Sequence, residues 1–231
     1  MTDTAFVESI IKILFVVVIV AAAYIISTRN LLSLVSVYAL QSLTLVGIAL
    51  CLYLIQGNPV LLAIAIITFG SKVLVIPYFI ATIQEKIRIK RDLEFHYLNP
   101  TTTLLLSMAL MLVVYIALSR IIPPASTATP GLFFFGAVIG ISLMLMGMMV
   151  TFSRKRAITK VMGFLSMENG VLIFGMFVTE LPFIIEFLIV IDLIILVLLT
   201  TILSVGIDST LEEFHNRLHR FYLWEEKEEL P

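Results

Sequence analysis

Three ionisable side chains stand alone inside long apolar stretches of this chain: Lys72, Glu168 and Asp192. Lys72 interrupts an otherwise uncharged run from Asn30 to Gln84, Glu168 lies between Lys160 and Glu180, and Asp192 lies between Glu186 and Asp208. A charge at the centre of a bilayer-spanning helix costs about 2.5–3.5 kcal/mol even on the lenient insertion scale, so each needs a partner or a water-filled route. The chemistry that suits them is proton transfer. Burial disfavours charge on acids and bases alike, neighbouring buried groups then exchange protons readily, and chains of such groups build proton pathways. The competing use is structural, a buried pair that holds helices together.

The local sequence says where each group can look. Lys72 sits between Gly70 and Pro77. The proline removes the hydrogen bond to the carbonyl of Val73, so a kink is expected there, with a free carbonyl beside the lysine. Its natural counter-charge is a carboxylate, Glu168 or Asp192. Around Glu168, Ser166 and Gly170 form a small-xxx-small pair that lets another helix approach. Two residues turn a helix by about 200°, so Glu168 points away from that close-packed face. Asn169 adds a second polar group. Asp192 has only Leu188, Ile189, Ile195 and Leu196 on its own face, so its partner must come from another helix. Glu186 falls nearer the outer end of the same helix, about 120° round, at the headgroup boundary.

The elements that must carry these residues follow from composition. A chain of 231 residues that is 60% hydrophobic and only 13% charged, with mean hydropathy +1.10, cannot cover its apolar surface in water. Lipid is the expected solvent. Seven transmembrane helices are expected at residues 7–28, 31–55, 59–83, 101–122, 131–153, 157–179 and 182–206. Breakers separate them at Thr28-Arg29-Asn30, Gln56-Gly57-Asn58-Pro59, Pro123-Pro124 through Pro130-Gly131, and Glu180-Leu181-Pro182. The first helix is not read as a signal peptide, because Asp3 and Glu8 flank Lys12 and the apolar run continues past Ala21-Ala22-Ala23.

Twelve of the fifteen basic residues fall on one side of these helices, only Lys12 and Arg120 on the other, and Lys72 within. The positive-inside rule then puts the N-terminus outside and the C-terminus in the cytoplasm. Beyond Val205, Ser209-Thr210-Leu211-Glu212 forms a capping box, and Leu211, Phe214, Leu218, Phe221 and Tyr222 recur at helical spacing. A short cytoplasmic amphipathic helix is expected, resting on the membrane or docking to a cytoplasmic subunit. Its seven acids against three bases over 208–231 are repelled by anionic cytoplasmic lipid, which keeps docking to a protein level with the membrane-surface reading.

No cofactor is expected. Cys51 is the only cysteine, which leaves no disulfide, CxxC pair or Cys-ligated cluster. His96, His215 and His219 all fall in polar segments, so no intramembrane imidazole pair exists for a haem. His215 and His219 are four apart, but Asn216 stands where a zinc-protease motif needs glutamate. No nucleophile–base constellation, phosphate loop or nucleic-acid partner is indicated.

An offset of 127 residues places Arg29 on Arg156, Gln41 on Glu168 and Leu45 on Leu172. The next helix of each copy carries Lys72 or Asp192. This suggests an all-α chain built as a parallel 3+1+3 repeat. Its parts are a first three-helix unit over 1–83, a connector with the fourth helix over 84–130, a second unit over 131–206 and a tail over 207–231. Gln41 and Asn169 join Lys72, Glu168 and Asp192 as candidate pathway residues.

The run Ala65-Ile66-Ile67-Thr68 through Ser71-Lys72-Val73-Leu74-Val75-Ile76-Pro77, with Phe164 and Met167-Glu168-Asn169-Gly170, resembles the E component of formate-hydrogenlyase-type (hydrogenase-4) membrane complexes over nearly the whole chain. Helices five to seven are similar to the K subunit of respiratory complex I and its counterpart in multi-subunit cation/proton antiporters. The two carboxylates of that K subunit fall on Glu168 and Asp192, although the last acid is aspartate here and the connection is shorter. The first unit has Gln41 and Lys72 instead, so carboxylate roles do not carry over to it. The resemblance implies a non-catalytic, multi-pass subunit of an energy-converting hydrogenase in a prokaryotic cytoplasmic membrane, beside antiporter-like membrane subunits. Its ionisable residues would then serve proton or cation translocation. An assembly scaffold, an antiporter subunit and a self-sufficient transporter are the alternatives. Conduction requires a hydrated cavity or a neighbouring subunit at the buried groups; sealed in dry packing without either, they would serve only as a brace and the conducting account would fail.

Overall fold

The computed structural model describes residues 4–28, 30–87, 99–121, 130–154 and 157–178, together with 190–192, 194, 195, 197 and 201. Its helices are α1 (Thr4–Ser27), α2 (Leu31–Gln56), α3 (Pro59–Thr68), a π-helical segment (Phe69–Val75), α4 (Ile76–Ile87), α5 (Pro100–Ile121), α6 (Pro130–Ser153) and α7 (Ala157–Val178). The protein is therefore an all-α chain. Among the described residues, six helices are long and apolar enough to cross a membrane, with α3, the π segment and α4 joined into one of them over Pro59–Thr82. Their ends differ from the expected limits by a few residues at most. The expected seventh helix, 182–206, falls largely outside the described residues, and those of its residues that are described are helical. The tail helix expected over 207–231 also lies outside them.

Turn chemistry sets the ends. The α2–α3 turn places Gly57 at φ 67°, where its N–H bonds the Tyr53 carbonyl at 2.8 Å. Glycine is favoured there because it has no Cβ to clash in the left-handed region. Asn58 then caps α3 by accepting from the Val60 N–H at 3.0 Å, with Pro59 opening the helix. Asn30 caps α2 in the same way, accepting from Leu32 at 3.2 Å.

The α6–α7 hairpin is the most extensive helix pair, and glycine makes it so. A Cβ on Gly140 would fall 2.6 Å from the Phe174 nitrogen, one on Gly163 2.6 Å from the Thr151 nitrogen, and one on Gly170 2.5 Å from the Met144 nitrogen. Gly147 faces Met167 and Gly163 as closely. Without a hydrophobic driving force between helices in lipid, such close backbone approach supplies the packing. Gly170 shares this face with Gly163, seven residues earlier. Gly170→Ala should therefore cost about 1–3 kcal/mol through forced separation of the helices. Gly131→Ala, where a Cβ meets nothing within 4 Å, should be neutral or slightly stabilising. Thermal unfolding in detergent checks the contrast.

Arg154, just past α6, is 2% exposed. Its Nη2 donates to the carbonyls of Ile25, Ile26 and Thr28 at 3.2, 3.1 and 2.7 Å. The guanidinium thus satisfies carbonyls that the end of α1 leaves without intrahelical donors. In sequence it reads only as one of the cytoplasmic-side cations.

At the centre of the bundle, α2 packs against α1, α3, the π segment, α4 and α7. At the periphery, α5 buries only Thr103, Ser107 and Val114.

Candidate functional site

The π segment places Lys72. Pro77 has no N–H to give Val73, and Ile76, just before it, bonds the carbonyl five residues back, at Ser71. The expected kink thus takes the form of a π-helical stretch of seven residues on the N-terminal side of the proline. Ser71 Oγ donates to the Ile67 carbonyl at 2.9 Å, satisfying one acceptor in the loosened turn.

Lys72 is completely buried, with its ammonium at the meeting point of three helices. Nζ lies 2.8 Å from Glu168 Oε1 on α7 and 4.0 Å from Asp192 Oδ1 on the last helix. It also donates to Asn169 Oδ1 at 3.4 Å. Asn169 Nδ2 in turn donates to Gln41 Oε1 at 3.1 Å and Ser42 Oγ at 3.2 Å, both on α2. All five residues singled out from the sequence, Gln41, Lys72, Glu168, Asn169 and Asp192, therefore belong to one connected cluster. The carboxylate expected opposite Lys72 is Glu168, with Asp192 behind it. As the helical geometry requires, Glu168 turns away from the glycine face of α7.

Sequence reasoning missed Ser42 and Tyr38. The 127-residue offset that matches Gln41 to Glu168 also matches Ser42 to Asn169, so that signal was present. Tyr38 lies one turn before Ser42, fully buried, within electrostatic reach of Glu168 and Asp192. Nothing in its surroundings in sequence distinguishes it from an ordinary core aromatic.

The charge count is the chemical content of the site. One ammonium faces two carboxyls, and neither carboxyl receives a hydrogen bond from a further donor among the described residues. With every group ionised the cluster would hold a net charge of −1 in the membrane interior. An uncompensated buried charge costs several kcal/mol, and two carboxylates in one site resist joint ionisation. The neutral state holds one proton, which belongs to the carboxyl pair rather than to one residue.

Access is one-sided. Gln41, Lys72 and Asn169 are fully enclosed and Glu168 nearly so, whereas Asp192 keeps 12% side-chain exposure. Val190 and Ile194, each two residues from it and so about 200° round the helix, are exposed on the opposite face. An apolar groove of about 430 Å³ lies between α1, α5 and α6; none of the cluster residues lines it. Among the described residues no group of His, Cys, Asp and Glu is arranged to hold a metal ion.

Comparison with protein-family models, curated proteins and solved structures gave no match to this chain.

Proposed function

We propose that this chain is a non-catalytic membrane subunit of an ion-translocating assembly of the energy-converting hydrogenase type, in which the Lys72–Glu168–Asp192 centre takes up a proton and passes it to a neighbouring subunit. One observation carries the reading: a single buried ammonium faces two carboxyls, at 2.8 and 4.0 Å. A simple brace needs one carboxylate per lysine. The second gives the centre room for an exchangeable proton. Asp192, as the member with residual exposure, is the outlet, and its side of the last helix is where an antiporter-like subunit would pack.

The resemblance of the Lys72 and Glu168 segments to the hydrogenase-4 E component supports this assignment. Redox chemistry then belongs to other subunits, and the tail helix to a cytoplasmic one. Six apolar helices fit a multi-pass membrane protein. We place it in a prokaryotic cytoplasmic membrane with seven spans, the N-terminus outside and the C-terminus inside, on the distribution of basic residues. The parallel repeat gains support from α2 and α7, whose matched polar positions touch through Gln41, Ser42 and Asn169.

Purification from native membranes in mild detergent tests the assignment. Antiporter-like membrane chains and a redox subunit are expected to copurify, identified by mass spectrometry. Antiporter chains without a redox subunit would instead place the chain in a multi-subunit cation/proton antiporter. Recovery from native membranes with no other membrane chain would contradict membership of any assembly.

A second reading has its own observation. The near-complete burial of Lys72 and Glu168 suits a scaffold that merely clips α7 to the π segment. Variants that keep the cluster neutral separate the two readings.

A further inference from the structure

The face of α2 that meets the Lys72 centre carries more hydrogen-bonding capacity than its protein neighbours take up. Tyr38, Gln41 and Ser42 fall within about 100° of one another around the helix, and all three are completely buried. Lys72 can only donate, so its bond to Asn169 Oδ1 turns Asn169 Nδ2 towards α2. Nδ2 then takes Gln41 Oε1 and Ser42 Oγ as its acceptors. That leaves Gln41 Nε2 without an acceptor among the described residues, and the Tyr38 hydroxyl, which faces Ser42, makes no hydrogen bond to them either. Glu168, next to Asn169 in the chain, is the stronger of the two charged neighbours of Tyr38. Its Oε2 accepts no hydrogen bond from the described residues.

A buried donor with no acceptor costs the full desolvation of the group. Folded proteins avoid that cost by placing ordered water against buried polar groups that lack a protein partner. The groups here converge on one place without bonding to one another, and polar groups just beyond bonding range are those that a single water joins. Their chemistry also selects the occupant. Gln41 Nε2 only donates, the Glu168 carboxylate only accepts, and the hydroxyls of Tyr38 and Ser42 do either. A metal cation would meet an amide N–H and an anion would meet a carboxylate. Water accepts and donates at once.

We propose that Tyr38, Gln41, Ser42 and Glu168 bind an internal water molecule, which accepts from Gln41 Nε2 and donates to Glu168, with the two hydroxyls completing its shell. The site follows from the unpaired groups and does not rest on proton transfer. It gives Glu168 a hydrogen-bond partner besides Lys72 and extends the cluster one helical turn towards the start of α2. It also puts water against the carboxyl that the proton-transfer reading loads.

Hydroxyl-radical labelling by a short X-ray pulse tests this on the purified full chain in lipid nanodiscs. The pulse makes radicals from water in place, so a buried ring is oxidised only where water touches it. Tyr38 should gain an oxygen, read by mass spectrometry of its peptide. Phe134, similarly enclosed but packed against Val114 and Val138, should not. Ser42→Val removes one hydroxyl and fills its space, and Gln41→Met removes the amide donor at similar volume. Each leaves Asn169 Nδ2 one of its two acceptors, and in each the Tyr38 label should fall to the level of Phe134. Either variant decides the matter alone should the other fail to fold. An unlabelled Tyr38 in the wild type, or a label that survives in a folded variant, overturns the proposal.

Discussion

Replacing Lys72 with methionine should destabilise the fold by about 3–5 kcal/mol, the usual loss when one partner is removed from a buried ion pair. Methionine keeps most of the lysine stem's volume, so the loss reports charge rather than a cavity. Among the described residues the ammonium is the sole cation within 4 Å of both carboxyls. Its removal leaves two acids and one amide network to face each other in a medium of low dielectric. Unfolding of the purified protein in detergent measures the loss. The double variant Lys72→Met with Glu168→Gln should recover most of it, because two acids then no longer face each other without a cation. A Lys72→Met protein within about 0.5 kcal/mol of wild type would mean that the ion pair is not formed, since a change of that size is typical of surface substitutions.

Glu168→Gln should do the reverse, sparing the fold and removing the function. The glutamine has the shape of the acid, and Lys72 retains Asp192 as counter-ion at 4.0 Å. The cluster becomes neutral without a shared proton and has nothing left to load. In the intact assembly, ion translocation per redox turnover should be largely lost, since a positioned proton-transfer group contributes about 10²–10⁴-fold. The amount of assembled complex should not change. A scaffold would give the opposite pattern, with reduced assembly and unaltered coupling. The pattern that appears decides between the two readings of the burial around Lys72.

Much of this was legible in the sequence because lipid simplifies the rules. A lone charge in an apolar run has few ways to be satisfied, so Lys72, Glu168 and Asp192 had to meet partners, and they meet one another. The turn at Gly57-Asn58-Pro59 announced itself for a similar reason: each residue type fits its position in a helix end and a helix start. What the proline at 77 would do was only half legible. Loss of its N–H predicts a local break, but whether that becomes a bend or a π-helical stretch depends on the packing of α2 and α7 against Lys72. The role of Arg154 was hidden because a cytoplasmic-side arginine is the default under the charge rule, and its carbonyl partners belong to a helix more than a hundred residues earlier. Gly140, Gly147 and Gly163 were equally mute, since glycine is common in membrane helices and only the antiparallel register of α6 and α7 brings them into line.

Infrared difference spectroscopy of the carboxyl region, on purified protein in lipid nanodiscs at neutral pH, tests the central claim most directly. The wild type should show the C=O band of a protonated, buried carboxylic acid that shifts on transfer to D₂O, and Glu168→Gln should abolish it. Absence of that band from the wild type, or its persistence unchanged in Glu168→Gln, would contradict a shared, exchangeable proton at this centre.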